Sequence, residues 1–161
     1  MYRNLLVGFL ILAYSVVVFA QETAKVLKVV DGQSLEIEYD GQKETIYFLG
    51  VAIPKLGPGD EIYKSKKYKK TLKKREKESF KLVKSLVREG DRILIEFDER
   101  KWDRLHRFVG YIFVSDGRML NEEVIKAGYS NVELRPPNIK YEDRFNQIVK
   151  EAKIKKKGIW K

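Results

Sequence analysis

Residues 25–49 read KVLKVVDGQSLEIEYDGQKETIYFL, and the reading of this stretch decides how the rest of the chain is organised. Lys25–Val30, Leu35–Tyr39 and Glu44–Leu49 are short runs rich in β-branched and aromatic residues. In the second run Leu35, Ile37 and Tyr39 alternate with Glu36 and Glu38, which puts the apolar side chains on one face of an extended strand. Asp31-Gly32 and Asp40-Gly41 stand between the runs. Asp-Gly supplies the positive φ that a two-residue hairpin turn demands, so the pattern predicts a three-stranded meander with one wet face.

Working outward, Val51–Tyr63 carries Pro54, Gly57, Pro58 and Gly59 and reads as an irregular loop. A helix is predicted over Thr71–Arg88, where Leu72, Phe80, Val83, Leu86 and Val87 share a face and Gly90 ends the run. Two more strands follow, Arg92–Phe97 and Phe108–Val114, with the polar loop Asp98–Arg107 between them. Asp116-Gly117 turns the chain again. A short helix over Glu122–Ala127 is closed by Gly128, and Phe145, Ile148, Val149 and Ala152 mark a last helix over Tyr141–Lys155. Five strands with a helix between the third and fourth are the element order of an OB-fold, a small Greek-key barrel. The expected class is α+β, mainly β: a five-stranded barrel with about three helices, an order shared with other small α+β barrels.

Composition narrows the chemistry. The chain has 161 residues, 33 Lys+Arg against 23 Asp+Glu for a net charge of +10, one histidine and no cysteine. Disulfide scaffolds, cysteine-ligated zinc modules, thiol enzymes and multi-histidine metal sites are thereby excluded. The lone His106 is at most a general base. At the N-terminus, Leu5–Val18 is nearly all apolar and ends in Val18-Phe19-Ala20. This reads as a secretory signal over residues 1–20, leaving a domain over 21–161. The uncharged span is about 18 residues, so an uncleaved membrane anchor is the other reading. Both place the domain outside the cytoplasm, secreted or at the cell surface. Loss of 1–20 removes one basic residue, Arg3, and no acid, so the positive excess belongs to the domain.

Five strings in order carry a resemblance: Val29-Val30-Asp31-Gly32 with Leu35 on the next strand; Tyr47-Phe48-Leu49-Gly50-Val51 with Pro54; Asp103-Arg104, Arg107 and Gly110-Tyr111-Ile112-Phe113; Asp116-Gly117-Arg118-Met119-Leu120-Asn121; and Gly158-Ile159-Trp160. Over nearly all of residues 24–161 the sequence resembles the staphylococcal nuclease (thermonuclease) family. The resemblance implies an OB-fold barrel with packed helices that hydrolyses DNA and RNA phosphodiesters with one calcium ion. Calcium wants six to eight oxygens with carboxylates among them, a carboxylate activates the water, and guanidinium groups brace the phosphate.

Carried over position by position, the family's first calcium aspartate falls on Gln33, its second on Ala52, its general-base glutamate on Lys55 and its first catalytic arginine on Tyr47. Arg107 matches the second catalytic arginine, and Asp31 matches a supporting acid of the metal turn. The family's base-stacking tyrosines fall on Glu133 and Arg135; Trp102 and Tyr47 are the replacement aromatics. The expected site is therefore a degenerate one, with no cofactor and with calcium only where the family activity survives. Lys55 and Arg107 would hold a phosphate directly. Lys64–Lys77, with Lys64, Lys66, Lys67, Lys69 and Lys70 at its start, has nine basic residues in fourteen and one acid. That run points to a polyanion: nucleic acid first, with an anionic membrane surface or acidic cell-wall polymer behind it. Trp102 would stack a base. The domain is expected to be monomeric. Two further readings stand beside this one, a nuclease with a metal relocated among Asp60, Glu61, Asp98, Glu99 and Asp103, and an interaction module without nucleic acid.

Overall fold

Three antiparallel strands come first, β1 (Glu22–Asp31), β2 (Ser34–Tyr39) and β3 (Gln42–Phe48), joined by the two Asp-Gly turns. The computed structural model describes residues 21–53 and 66–160. The apolar N-terminal segment, Lys55, Asp60, Glu61 and Lys64 lie outside the described residues. After the meander come β4 (Gly50–Ala52), α1 (Lys66–Leu86), β5 (Arg92–Glu96), β6 (Phe108–Phe113), α2 (Leu120–Lys126), β7 (Asn131–Glu133), α3 (Glu142–Ile154) and a 3₁₀ turn at Gly158–Trp160. Five of the strands close into a barrel in the order β1-β2-β3-β6-β5. The expected five-stranded OB-fold barrel with three helices is what forms.

Alternation fills the barrel. Val26, Leu35, Ile37, Ile46, Ile93, Ile95 and Ile112 point inward and are buried. Their β-branched or γ-branched side chains suit a pleated, curved wall. Two register shifts in β1, at Val26/Lys28 and Val29/Asp31, bend that strand so that it pairs with both β2 and β5. Closure comes from a parallel pairing of β3 with β6, in which Ile46, Tyr47 and Phe48 face Phe108, Val109 and Gly110. A second cluster outside the barrel joins Leu49, Val109, Tyr111, Met119 and Ile125 to Phe145 and Val149 of α3. Trp160 packs there too, under Lys153 Nζ at 4.4 Å.

Two expectations are corrected. The irregular loop expected from Val51 begins later, because Gly50–Ala52 forms β4 and pairs with β7 as Gly50 to Glu133, Val51 to Val132 and Ala52 to Asn131. Three residues are too few to show a period. Helix α1 starts at Lys66 rather than Thr71, and its first turn has no acidic residue. A first turn of lysines around the single Tyr68 gives neither periodicity nor a capping signal to read.

Helix α1 docks on the barrel through Val83, with Val87 just past its end and Phe80, Leu82 and Leu86 packed beside them. At the contact, a Cβ on Gly32 would lie 2.2 Å from Ser79 Oγ and 2.5 Å from Ser79 Cβ. Gly32→Ala is expected to destabilise the fold by about 1–3 kcal/mol, read as a lower denaturant midpoint at unchanged m-value; an unaltered midpoint would mean that α1 does not press on this turn.

On the other side, the Tyr141 hydroxyl lies 3.1 Å from Glu96 Oε1. Burial, then the Glu96 charge, pushes this phenol up to about 12 from 10.0. The folded state thus favours the neutral form, so its contribution is complete below pH 10 and is lost as pH rises toward about 12. In Tyr141→Phe the decline of the urea midpoint over that window should be shallower; the same slope in both proteins would overturn the assignment.

Candidate functional site

A cleft of about 590 Å³ opens beside the parallel β3–β6 junction. Tyr47, Leu49 and Gly50 form its floor, the Arg100–Arg107 loop one wall, the Glu133–Asn138 segment the other, and Gln33 stands at one end. Of the residues marked in the sequence, Gln33, Tyr47, Trp102 and Arg107 come together here. Ala52 sits half-buried on β4, outside the lining. Lys66, Lys69 and Lys70 are exposed on α1, away from the cleft; Lys67 lies on the same helix turn.

The loop that carries Arg107 is shaped by one aspartate. Asp103 Oδ1 accepts the backbone N–H of Leu105 at 2.8 Å and of Arg107 at 2.9 Å, and its own N–H returns to Arg107 O at 3.0 Å. His106 completes the turn at φ 55. Asp103 Oδ2 then takes the Arg107 guanidinium, from Nε at 2.7 Å and Nη2 at 2.6 Å. Burial alone would raise the Asp103 carboxyl, but the hydrogen bonds from Arg107 and Leu105 outweigh it and hold it below the usual carboxylate range. The anion persists at neutral pH, and Arg107 is fixed by it. The guanidinium centre lies 5.0 Å from the centroid of the Tyr47 ring, a cation–π contact. The Arg107 side chain remains 44% exposed, so its free edge faces the cleft and solvent.

The two walls are bolted together by a buried residue absent from the sequence-level site. Asn138 Oδ1 accepts the Arg100 N–H at 2.9 Å, and its Nδ2 donates to Arg100 O at 2.9 Å. Beside it, Trp102 pairs with Phe108 at a ring distance of 5.0 Å yet keeps 49% of its surface exposed. The base of the loop is tied to the barrel mouth, where Lys101 Nζ donates to Glu22 at 2.9 Å and to the Tyr39 hydroxyl at 2.8 Å. Tyr39, through its hydroxyl, and Lys101 hold the Glu22 carboxyl low. Arg135 pairs with Glu133 at 2.6 Å on the far wall. Arg100 and Arg104, which sequence reasoning did not single out, line the cleft with Arg107 and Arg135. The spacing of Asp103 and Arg107 was the available signal for the clamp; nothing in the sequence points to the Asn138 bolt.

At its end of the cleft, Gln33 is spent on the backbone. Its N–H donates to Asp31 Oδ1 at 2.9 Å, its carbonyl accepts Phe48 N–H at 2.8 Å, and its side-chain Oε1 accepts Ile53 N–H at 3.0 Å. Ser34 Oγ donates to Asp31 Oδ1 at 2.7 Å. Ala52 N–H is taken by Ser130 Oγ at 2.8 Å. Of the acids marked for a relocated metal, Asp60 and Glu61 lie outside the described residues, and Asp98 and Asp103 are engaged in other ways. Asp98 Oδ2 accepts the Tyr111 hydroxyl at 2.8 Å and Lys140 N–H at 2.9 Å, Asp103 holds Arg107, and Glu99 is exposed. Among the described residues, no three Asp, Glu or His side chains gather where they could hold one metal ion.

This arrangement can be placed among known proteins. A family profile described as staphylococcal nuclease homologue matches residues 48–161. The chain is 29% identical over 141 residues to a thermonuclease of Staphylococcus hyicus, covering 87% of this chain and 76% of that one. It is 31% identical over 135 residues to endonuclease YncB of Bacillus subtilis, covering 83% of this chain but only 59% of the relative. It is also 30% identical over 149 residues to the uncharacterized protein MJ1439 of Methanocaldococcus jannaschii, with 84% and 70% covered. The profile match, these relatives and the closed five-stranded barrel together establish that the chain belongs to the staphylococcal nuclease family.

Proposed function

We propose that this thermonuclease-like domain binds single-stranded nucleic acid in the cleft and does not hydrolyse it with calcium. One observation carries the reading: the oxygen at the place of the family's calcium carboxylate, Gln33 Oε1, is neutral and accepts the Ile53 N–H at 3.0 Å. An amide oxygen committed to a backbone donor adds no charge to a cation site. Ala52 brings no ligand atom, and the cleft that Gln33 lines carries the Arg107 guanidinium. A divalent cation would meet this donor set without the carboxylates that offset its dehydration. Among the described residues, the donor set does not fit calcium.

They suit a phosphate and a base. Arg104, Arg107 and Arg135 line one cleft, and a guanidinium offers paired donors matched to phosphate oxygens. Trp102 presents a half-exposed ring, and stacking on such a ring stabilises an unpaired base by about 1–3 kcal/mol. Bases are open to stacking in a single strand and covered in a duplex, which favours single-stranded DNA or RNA as the ligand.

The test is incubation of the full-length chain with fluorescein-labelled oligothymidylate and oligouridylate, in calcium or in chelator. Intact oligonucleotide is expected in both, with binding that weakens as salt rises and falls about 10-fold or more in Arg107→Ala and in Trp102→Ala. Chelator-sensitive cleavage lost in Arg107→Ala would overturn the proposal in favour of a relocated metal, and absence of binding would leave an interaction module. Calorimetry is expected to detect no calcium uptake by the native chain and measurable uptake once Gln33→Asp, Tyr47→Arg, Ala52→Asp and Lys55→Glu are combined. Calcium binding by the unaltered chain would sink the reading directly.

A further inference from the structure

The cleft is not closed off from its surroundings at Gln33. That residue also lines a second, shallower groove of about 620 Å³, bounded by Val30, Asp31 and Ile53 on the barrel and by Lys73, Glu76, Lys77 and Phe80 on α1. We propose that a nucleic-acid strand bound in the cleft continues past Gln33 into this groove, with its phosphates running along a row of lysines on α1. The inference rests on the reading of the cleft as a single-strand site and adds the path the strand takes outside it.

The row is a property of the helix as a whole. At 100° per residue, Lys66, Lys69, Lys70, Lys73, Lys74, Lys77, Lys81 and Lys84 fall within an arc of about 140°, and from Lys66 to Lys84 they extend about 27 Å. Glu76 and Glu78 lie on either side of this arc, not in it. A solvated helix face ordinarily interleaves acids and bases as i, i+4 pairs. Here Lys74 pairs with Glu78 at 3.7 Å, whereas Lys69, Lys70, Lys73, Lys77 and Lys81 are exposed with no carboxylate partner among the described residues. Lys66, Lys69 and Lys70 also stand at the helix N-terminus, where the macrodipole disfavours cations. Helix stability does not account for so many like charges on one side, and a polyanion would.

The groove has the second ingredient a strand needs. Val30 is 42% exposed on β1, and Phe80 is half-buried opposite it, so an apolar floor for bases runs beside the lysines. A lipid surface fits less well. A membrane-seated helix inserts an apolar face, and the apolar face of α1 is already covered: Leu72 and Val83 are buried, Val83 within the barrel's core.

The experiment compares fluorescein-labelled dT4, short enough for the cleft alone, with dT16 on the full-length chain and on a Lys73→Gln, Lys77→Gln, Lys81→Gln variant. The variant should bind dT4 within 2-fold of the native chain and dT16 at least 10-fold more weakly. Its slope of log K against log salt for dT16 should be shallower by about 2, from the loss of three phosphate contacts at roughly 0.7 each. Equal losses for both oligonucleotides, or no loss for either, would overturn the path while leaving cleft binding of dT4 intact. No binding of dT4 by the native chain would instead remove the cleft reading on which the path rests. A variant that keeps dT16 affinity but loses adsorption to phosphatidylglycerol vesicles would assign the lysine row to a membrane and overturn the proposal.

Discussion

Closure of the barrel hangs on the parallel pairing of β3 with β6, and most of what is distinctive about this chain depends on it. Parallel strands cannot be joined by a hairpin, so the chain leaves β3, builds α1 and β5, and returns through the 98–107 loop. The pairing sets Tyr47 against Val109 and so brings its ring beneath Arg107, two residues upstream of Val109. Where the two strands begin to part, the wholly buried Asn121 takes over the ladder. Its Nδ2 donates to Leu49 O at 2.9 Å and Gly110 O at 3.1 Å, and its Oδ1 accepts Ile112 N–H at 2.9 Å. One amide serves three backbone groups in the core, adding a second donor to Gly110 O, which also accepts the Leu49 N–H at 3.0 Å. Gly110 is required at that spot, since a Cβ would lie 2.9 Å from Ile95 and 3.3 Å from Ile46.

The site that grows from this junction is held by charge and by hydrogen bonds rather than by burial. Arg107 is clamped by Asp103, faced by Tyr47 and left open on one edge. Trp102 is backed by Phe108 and left open on one face. Both are ordered before any ligand arrives, which lowers the entropy that binding must overcome. The positive excess of the sequence is divided between two places, arginines in the cleft and lysines on α1. The division follows their chemistry: arginine suits defined, directional contacts, and lysine suits a mobile line of charge.

Much of the fold was legible because its elements announce themselves locally. The alternation of Leu35 and Ile37 with glutamates and the two Asp-Gly turns were enough for the meander, and Phe145, Ile148, Val149 and Ala152 for α3. What escaped was either too short or too uniform. β4 and β7 have three residues each, and the first turn of α1 is lysine broken only by Tyr68. The site was legible in part, since Gln33, Tyr47, Trp102 and Arg107 were marked and do converge. Arg100, Arg104 and Asn138 were not, because their meeting depends on contacts across 38 positions of sequence. Nor does a sequence reveal that a glutamine is engaged by a particular backbone amide.

That engagement has a mechanical consequence. Gln33 reaches Ile53 N–H with a side chain one methylene longer than an aspartate, and the bond pins the chain leaving β4 to the turn after β1. A shorter side chain at position 33 would release the pin. The residue at the end of the cleft is thus also a tether, and side-chain length there governs how firmly two neighbouring segments of backbone are held together.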